Sequence, residues 1–144
     1  MRVVVQRVSK AFVSVDNQVV GSIDEGLMLL VGFTQDDTLE NIDYMVNKVL
    51  NLRIFPDENG VMNKSVKDTG GAILSISQFT LYGDASKGNR PSYVKALNGE
   101  CAIKLYDKFN EKLKEYVLVE TGVFGADMQV SLVNMGPTTI ILEK

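Results

Sequence analysis

The stretch MQVSLVNMGPTTIIL, residues 128–142, places a glycine and a proline between two β-strand patterns. Polar and apolar residues alternate over Met128–Val133, and β-branched residues dominate Thr139–Leu142, so both segments are predicted strands. Proline has no N–H and a fixed φ, which confines it within sheets to edges, bulges and turns. The bond before a proline also adopts the cis form at only a modest cost. Two interpretations of Gly136-Pro137 follow: a simple hairpin turn, the more frequent case, or a tight corner that offers two backbone carbonyls to a small substrate.

The chain contains no histidine and only one cysteine, Cys101. This excludes Ser-His-Asp and Cys-His catalysis, zinc sites that use histidine, and any disulfide within the chain. An enzyme of this composition would depend on carboxylates, hydroxyls, Lys or Arg, backbone amides, or groups of its own substrate. No metal site and no cofactor are predicted. Cys101 lies on an apolar helix and is predicted to be a small core residue.

The length of 144 residues predicts a single domain over residues 1–144. No apolar run is long enough to cross a membrane, the N-terminus lacks the plan of a signal peptide, and cysteine is scarce. A cytoplasmic location is therefore expected. The net charge of −3 gives no general attraction to nucleic acid. Contact with RNA would need a local basic surface, although scattered surface charges are the more common role of such residues. The candidates are Arg2, Arg7, Lys10, Lys64, Lys67, Lys87, Arg90 and Lys95.

Periodicity and turn residues predict an α+β fold with a curled, mostly antiparallel, barrel-like sheet and two main amphipathic helices on one side. Besides the two segments above, the predicted strands are Arg2–Val8, Ala11–Val15, Gln18–Ile23, Leu27–Phe33, Ala72–Leu81 and Leu118–Gly122. The first predicted helix follows a Thr38 cap and buries Ile42, Met45, Val46, Val49 and Leu50. The second covers Gly99–Tyr116 and buries Ile103, Leu105, Tyr106, Phe109 and Leu113. Predicted loops are Pro56–Gly60, Asp68–Gly71 and the long segment Tyr82–Tyr93, a length that is often functional.

A dense polar cluster, Ser77-Gln78-Phe79-Thr80, lies at the predicted end of one strand, directly before the long loop. Taken alone, these residues could equally be strand residues whose hydroxyls cap the sheet. A threonine nucleophile at Thr80 would need a base, and no Lys or carboxylate stands out as one. Core positions, rather than platforms for stacking bases, are predicted for Phe79, Tyr82, Tyr93 and Phe124.

Two motifs resemble the signatures of the D-aminoacyl-tRNA deacylase family: Ser77-Gln78-Phe79-Thr80-Leu81 and Asn134-Met135-Gly136-Pro137-Thr138-Thr139. Four more segments resemble that family in the same order, so the likeness covers essentially the whole chain. They are Gln6–Val8, Asn51–Phe55, Gly88–Ser92 and Gly125–Asn134.

The resemblance implies a homodimeric hydrolase that cleaves the ester between a D-amino acid and the 3′-terminal adenosine of tRNA, without a metal or cofactor. It further implies hydrolysis of glycyl-tRNA, including glycine mischarged on tRNA-Ala, and a chiral proofreading role. In that family the Gly136-Pro137 bond is cis, and the partner's corner reaches the pocket beside Ser77–Thr80. Arg7 corresponds to the arginine that fixes the corner, and Ala102 and Phe124 correspond to residues that line the substrate pocket.

A mechanism consistent with the missing histidine uses an already activated ester, assisted by the neighbouring ribose hydroxyl. We expect the backbone amides of Phe79 and Thr80 to stabilise the developing oxyanion, and the Thr80 side chain to position the substrate. Lys87, Arg90 and Lys95 are candidates for a weak contact with the acceptor end of tRNA. Two alternatives remain: a non-catalytic module that binds aminoacyl or nucleotide ends, and a hydrolase that forms an acyl-enzyme on Thr80.

Overall fold

A computed structural model describes all 144 residues. The strands are β1 (Arg2–Val15), β2 (Gln18–Ile23), β3 (Gly26–Gly32), β4 (Phe55–Pro56), β5 (Met62–Lys64), β6 (Ala72–Ser77), β7 (Val119–Thr121) and β8 (Gln129–Glu143). The helices are α1 (Leu39–Asn51), α2 (Val66–Thr69) and α3 (Gly99–Lys114), and a 3₁₀ turn covers Phe79–Tyr82.

The long strand β1 organises the main sheet because three other strands pair with it. β2, β3 and β8 all pair antiparallel with β1, whereas β3 pairs parallel with β6 and β6 parallel with β7. β2 folds over toward β7, so that a Cβ added to Gly21 would lie 2.6 Å from the carbonyl oxygen of Thr121. Only glycine permits this approach. The sheet is thus curled, mostly antiparallel and nearly closed, which confirms the predicted α+β fold.

The apolar core has two parts. The larger cluster packs α1 and α3 against one face of the sheet and includes Val3, Leu29, Met45 and Phe109. The second cluster lies between strands and consists of Val8, Ala11, Val13, Ile23, Met28, Leu74 and Ile76. The helices therefore cover one side of the sheet, as predicted.

Helix α1 begins and is buried as predicted. The backbone N–H and the hydroxyl of Thr38 both donate to Oδ1 of Asn41, at 3.1 and 2.7 Å. This closes the N-terminus of the helix, and all five predicted apolar residues are buried. None of the helices is long and apolar enough to cross a membrane.

Helix α3 corrects two predictions. It begins after Asn98 and buries Ala102, Tyr106, Phe109, Asn110 and Leu113. Ile103 is 38 % exposed and Cys101 is exposed, so neither is a core residue. The buried residues follow one another at helical spacings of three and four, and residues 101 and 103 lie on either side of that stripe.

Several predicted boundaries are wrong by a few residues. β1 is one strand over Arg2–Val15 and not two, because the irregularity near its middle affects only the register with β8 around Val8. Part of the predicted 68–71 loop belongs to α2, which Ser65 caps by accepting from the N–H of Asp68 at 3.3 Å. Pro56 lies in the short β4 and not in a loop.

The predicted strand Ala72–Leu81 is too long. β6 ends at Ser77, and the chain then enters the 3₁₀ turn, in which the N–H of Leu81 donates to the carbonyl of Gln78 at 3.4 Å. The neighbouring strand β3 ends at Gly32, so no ladder remains for residues beyond 78 to join. Residues 77–80 therefore do not alternate between the two faces of the sheet as strand residues would.

The Gly136-Pro137 corner is not a hairpin between two strands. β8 runs through it as one strand, and both halves pair with β1: Asn134 lies opposite Val8, and Thr139 lies opposite Gln6. Four residues of β8, 135–138, are thus accommodated where β1 has one. They bulge out of the strand, and the Gly136–Pro137 bond is cis. This is the bulge that proline requires within a sheet.

Candidate active site

A cavity of about 530 Å³ opens where the parallel strands β3 and β6 end. Its walls are the end of β3, the end of β6 with the start of the 3₁₀ turn, the first turn of α3, and the segment leading into β8. The lining residues are Val31, Gly32, Phe33, Ile76, Ser77, Gln78, Phe79, Leu97, Gly99, Ala102, Phe124, Gly125, Ala126, Asp127, Met128 and Val130.

Gly32 lets the 3₁₀ turn sit directly against the end of β3. A Cβ at this position would lie 2.9 Å from the carbonyl oxygen of Gln78 and 3.2 Å from Cβ of Leu81. The N–H of Gln78 still donates to the carbonyl of Val31, at 2.7 Å. The turn is therefore held close to the sheet at the mouth of the cavity.

The predicted catalytic residues divide into two groups. Ser77, Gln78 and Phe79 line the cavity, whereas Thr80 does not and is exposed. The hydroxyl of Thr80 accepts a hydrogen bond from Nε2 of Gln78 and has no Lys or carboxylate partner. No base for a threonine nucleophile is therefore in contact with Thr80.

The backbone N–H groups of Phe79 and Thr80 are the first two of the 3₁₀ turn. The first N–H groups of a helical turn have no acceptor within it. None of the hydrogen bonds outside the regular helices and strands uses either group. Phe79 lines the cavity and Thr80 directly follows it, so these two adjacent donors are candidates for binding an oxyanion at the edge of the cavity.

Phe79 is not a core residue, contrary to the prediction. It is 56 % exposed, and Tyr93, which is 40 % exposed, packs edge-on against it with a ring-centroid distance of 5.1 Å. The long loop that ends at Tyr93 therefore borders the cavity mouth with an aromatic pair.

Ala102 and Phe124 both line the cavity. Ala102 is 7 % exposed, and the ring of Phe124 packs against that of Tyr106 at 5.7 Å. The hydroxyl of Tyr106 donates to the carbonyl of Ser75 on β6, at 2.7 Å, and burial raises its pKa. Tyr106 thus ties the wall of the cavity to β6, a role that its place in a helical apolar stripe did not indicate.

Sequence reasoning did not single out Asp127, the only titratable side chain that lines the cavity. It is exposed and forms no ion pair. No three of the Asp, Glu and Cys side chains cluster in a way that could hold a metal ion.

Arg7 contacts the corner, as the resemblance implied. Its Nη1 donates to the carbonyl of Ile54 at 2.6 Å, and its Nη2 donates to the carbonyl of Met135 at 3.2 Å. A second set of bonds crosses the base of the bulge: Nδ2 of Asn134 donates to the Thr139 hydroxyl, which donates to the carbonyl of Pro137, both at 3.2 Å.

The corner and the cavity are not brought together within one chain. Gly136 and Pro137 are exposed, and neither lines the cavity. Arg7 and the corner form one group of predicted site residues, and Ser77, Gln78, Phe79, Ala102 and Phe124 form another.

The family model described as D-Tyr-tRNA(Tyr) deacylase matches residues 4–143. Among solved structures, the "c-Myc DNA Unwinding Element Binding Protein" is similar to this chain at 42 % identity and a TM-score of 0.95, covering 100 % of this chain and 99 % of that one. A structure described as a probable eukaryotic D-amino acid tRNA deacylase is similar at 20 % identity and a TM-score of 0.84, covering 98 % and 97 %. At that identity the second likeness shows the fold alone. The chain belongs to the D-Tyr-tRNA(Tyr) deacylase family, whose members are hydrolases that act on the ester bond of aminoacyl-tRNA.

Proposed function

We propose that the chain hydrolyses D-aminoacyl-tRNA and glycyl-tRNA while sparing L-aminoacyl-tRNA, through a site completed by the Gly136-Pro137 corner of a second subunit. The observation that carries this proposal is the separation of an exposed corner from a cavity that belongs to the same chain. The cavity offers amide donors for an ester carbonyl. The corner offers carbonyls for the substrate's amino group.

The chemistry requires little from side chains. Water attacks the ester carbonyl carbon, the bond between that carbon and the ribose oxygen breaks, and the ribose oxygen takes a proton. The neighbouring ribose hydroxyl assists the attack. The N–H groups of Phe79 and Thr80 stabilise the oxyanion, where each such donor is worth about 2.7–4 kcal/mol. Orientation by Ser77 and Gln78 adds to this, and in favourable cases orientation contributes roughly 7–11 kcal/mol.

Two features of β8 support a homodimer. β8 pairs only with β1, so its other edge has no partner strand within the chain. Three large apolar side chains of β8 are exposed: Val133 is 45 % exposed, Met135 is 44 % exposed and Ile141 is 66 % exposed. An unpaired edge with exposed apolar groups is suited to pairing with a second copy, and such a contact would carry the corner with it.

Chirality follows from the fixed corner carbonyls. When they accept the α-amino group, one side of the substrate Cα has room for hydrogen only. The side chain of an L-amino acid would collide with the backbone of the corner, whereas that of a D-amino acid points away from it. Glycine has no side chain and is therefore not excluded. The filter is therefore steric, and tolerance of different D side chains should be broad.

The test is deacylation of matched D-Tyr-tRNA and L-Tyr-tRNA, and of glycine carried on tRNA-Ala, by purified protein in the presence of a chelator. We expect the D-tyrosyl and glycyl esters to be lost and the L-tyrosyl ester to persist. Loss of the L-tyrosyl ester at a rate similar to that of the D-tyrosyl ester would refute the chiral filter. Persistence of the glycyl ester would contradict a filter that is purely steric. If no substrate were hydrolysed, a non-catalytic binding module would be favoured.

Replacing Thr80 with alanine is expected to lower the rate of D-Tyr-tRNA hydrolysis by no more than about tenfold. The hydroxyl contacts only Gln78 and no base, whereas the backbone donor survives the substitution. The measurement is single-turnover deacylation, with thermal unfolding as a check on the fold.

Serine at the same position retains a hydroxyl and provides the matched control. If a nucleophilic hydroxyl were essential, Thr80→Ala would abolish turnover and Thr80→Ser would retain it. Mass spectrometry of enzyme quenched during turnover would then show an acyl adduct on Thr80. We expect no adduct.

A further inference from the structure

A basic cluster formed by α1 and the residue directly after β8 is not used by the active site described above. The ring of Tyr44 lies beneath two ammonium groups: Nζ of Lys48 is 5.6 Å from the ring centroid, and Nζ of Lys144 is 4.9 Å from it. The ring face attracts both cations. We call Tyr44, Lys48 and Lys144 the tyrosine–lysine cluster.

The two lysines of the cluster are exposed and form no ion pair. Tyr44 is 39 % exposed. Two nearby carboxylates have other partners, since Asp43 pairs with Lys112 and Glu143 pairs with Arg2. Both ammonium groups lie within 5.6 Å of the same ring centroid, so an anion near the ring would be attracted by both charges.

The backbone of all three residues of the cluster is held in place by regular structure or by a hydrogen bond. Tyr44 and Lys48 are one turn apart on α1. The N–H of Lys144 donates to the carbonyl of Met1 at 3.0 Å, so the end of β8 is tied to the start of β1. Little backbone ordering would therefore accompany the binding of an anion.

A short path of contacts joins the cluster to the catalytic motif. Arg2 donates to Glu143, the neighbour of Lys144, and its Nη1 donates to the carbonyl of Leu81 at 2.5 Å. Its guanidinium also lies 4.9 Å from the ring centroid of Tyr82. The cluster thus lies beyond the last residues of the 3₁₀ turn, whose first residue, Phe79, borders the cavity.

We propose that the tyrosine–lysine cluster binds the sugar-phosphate backbone of the tRNA acceptor stem while the 3′ end occupies the cavity. This rests on the proposed function, because it takes the substrate to be an aminoacyl-tRNA. An RNA strand leaving the cavity carries a regular series of phosphates. Because the net charge of the chain is −3, binding of such a strand depends on local positive charge, and the two lysines without ion pairs provide it.

The test compares Lys48→Glu/Lys144→Glu with a matched double variant, Lys67→Glu/Lys114→Glu. The control makes the same change in net charge, and Lys67 also lies over a tyrosine ring, that of Tyr116 at 5.3 Å. Lys67 borders a groove between α1 and α3 that contains no cavity residue. The substrates are D-Tyr-tRNA and the small ester D-tyrosyl-adenosine, which has no acceptor stem.

For the cluster variant, kcat/KM on D-Tyr-tRNA should fall on the order of tenfold at low salt. The slope of its logarithm against log salt should become shallower by roughly 1.4–1.8, the contribution of two phosphate contacts. Hydrolysis of D-tyrosyl-adenosine should be unchanged, and the control variant should behave as wild type on both substrates.

An unchanged rate and salt slope on D-Tyr-tRNA would overturn the proposal, as would equal losses in the control variant or equal losses on the small ester. If wild-type protein hydrolysed neither substrate, the proposed function would fail by itself. Equilibrium binding of uncharged tRNA to the same three proteins would then decide the role of the cluster. Weaker binding by the cluster variant alone would support it, and equal binding by all three would refute it.

Discussion

Replacing Gly136 with alanine is expected to lower D-Tyr-tRNA deacylation about a hundredfold, the effect of a misplacement of about 1 Å in an active site. Gly136 has φ +115°, and an added Cβ would lie 2.6 Å from Oγ1 and 2.8 Å from the backbone N of Thr138. Because one of these atoms is backbone, the corner must shift to accommodate the methyl group. The carbonyls that we propose to hold the substrate's amino group would shift with it. Single-turnover rates on D-Tyr-tRNA and L-Tyr-tRNA measure the effect.

Gly60→Ala is the matched control for Gly136→Ala. Gly60 also has a positive φ, +75°, but no atom lies within 4 Å of its added Cβ. The substitution also places alanine at a positive φ, with less strain because +75° is nearer the left-handed helical region, and it displaces no neighbour. Wild-type activity is therefore expected. Because the corner is exposed, thermal unfolding of Gly136→Ala should stay close to that of Gly60→Ala. Activity of Gly136→Ala within a few-fold of wild type would place the corner outside the site.

The sequence predicted the parts of this fold in which local pattern and tertiary structure agree. Asp16 and Asn17 are residue types that predict a turn between Ala11–Val15 and Gln18–Ile23. Both have the positive φ that such residues tolerate. The nearly continuous apolar run Leu27–Phe33 is typical of a strand that is buried on both faces. β3 does have a sheet neighbour on each edge and buried residues throughout most of its length. Thr38 likewise predicted the start of α1, and the spacing of its apolar residues predicted the buried face of that helix.

Predictions failed where the partner of a segment decided its structure. β8 continues through a proline because β1 provides a ladder on both sides of the bulge, and the segment itself contains no sign of that partner. β6 stops at Ser77 because β3 stops at Gly32. The exposure of Phe79 has the same origin, since the early end of β6 moves this residue from a strand to the rim of a cavity.

The resemblance named Arg7, Ala102, Phe124 and the two motifs, and it implied that the corner of one subunit reaches the cavity of another; both stay predictions. The structure places Arg7 beside the corner and places Ala102 and Phe124 in the wall of the cavity. No periodicity or spacing in the sequence indicates that these two groups lie apart in one chain. The role of Tyr106 was also hidden, because a tyrosine at a buried helical position is predicted as core whether or not its hydroxyl has a partner.

Two variants that each have little deacylase activity should regain part of it when one subunit of each forms a mixed dimer. Ala102→Phe directs a benzyl group from a 7 % exposed wall position into the cavity and should block substrate binding, while Gly136→Ala displaces the corner. If each site combines the cavity of one subunit with the corner of the other, a mixed dimer has one site in which both parts are intact. Random assembly makes half of all dimers mixed, so about a quarter of wild-type activity should return. Co-expression with two different tags, followed by single-turnover deacylation of D-Tyr-tRNA, measures this recovery.

The reciprocal mixture distinguishes a shared site from two independent ones. When wild type is co-expressed with the double variant Ala102→Phe/Gly136→Ala, every site of a mixed dimer contains one damaged part if sites are shared. Activity should then fall to about a quarter of that of an all-wild-type sample, whereas independent sites would leave about half. Independent sites would also give no recovery from the two single variants. If the two single variants gave no recovery and the mixture with the double variant kept half of the wild-type activity, the corner would not belong to the partner's site. It would then have to act within its own chain.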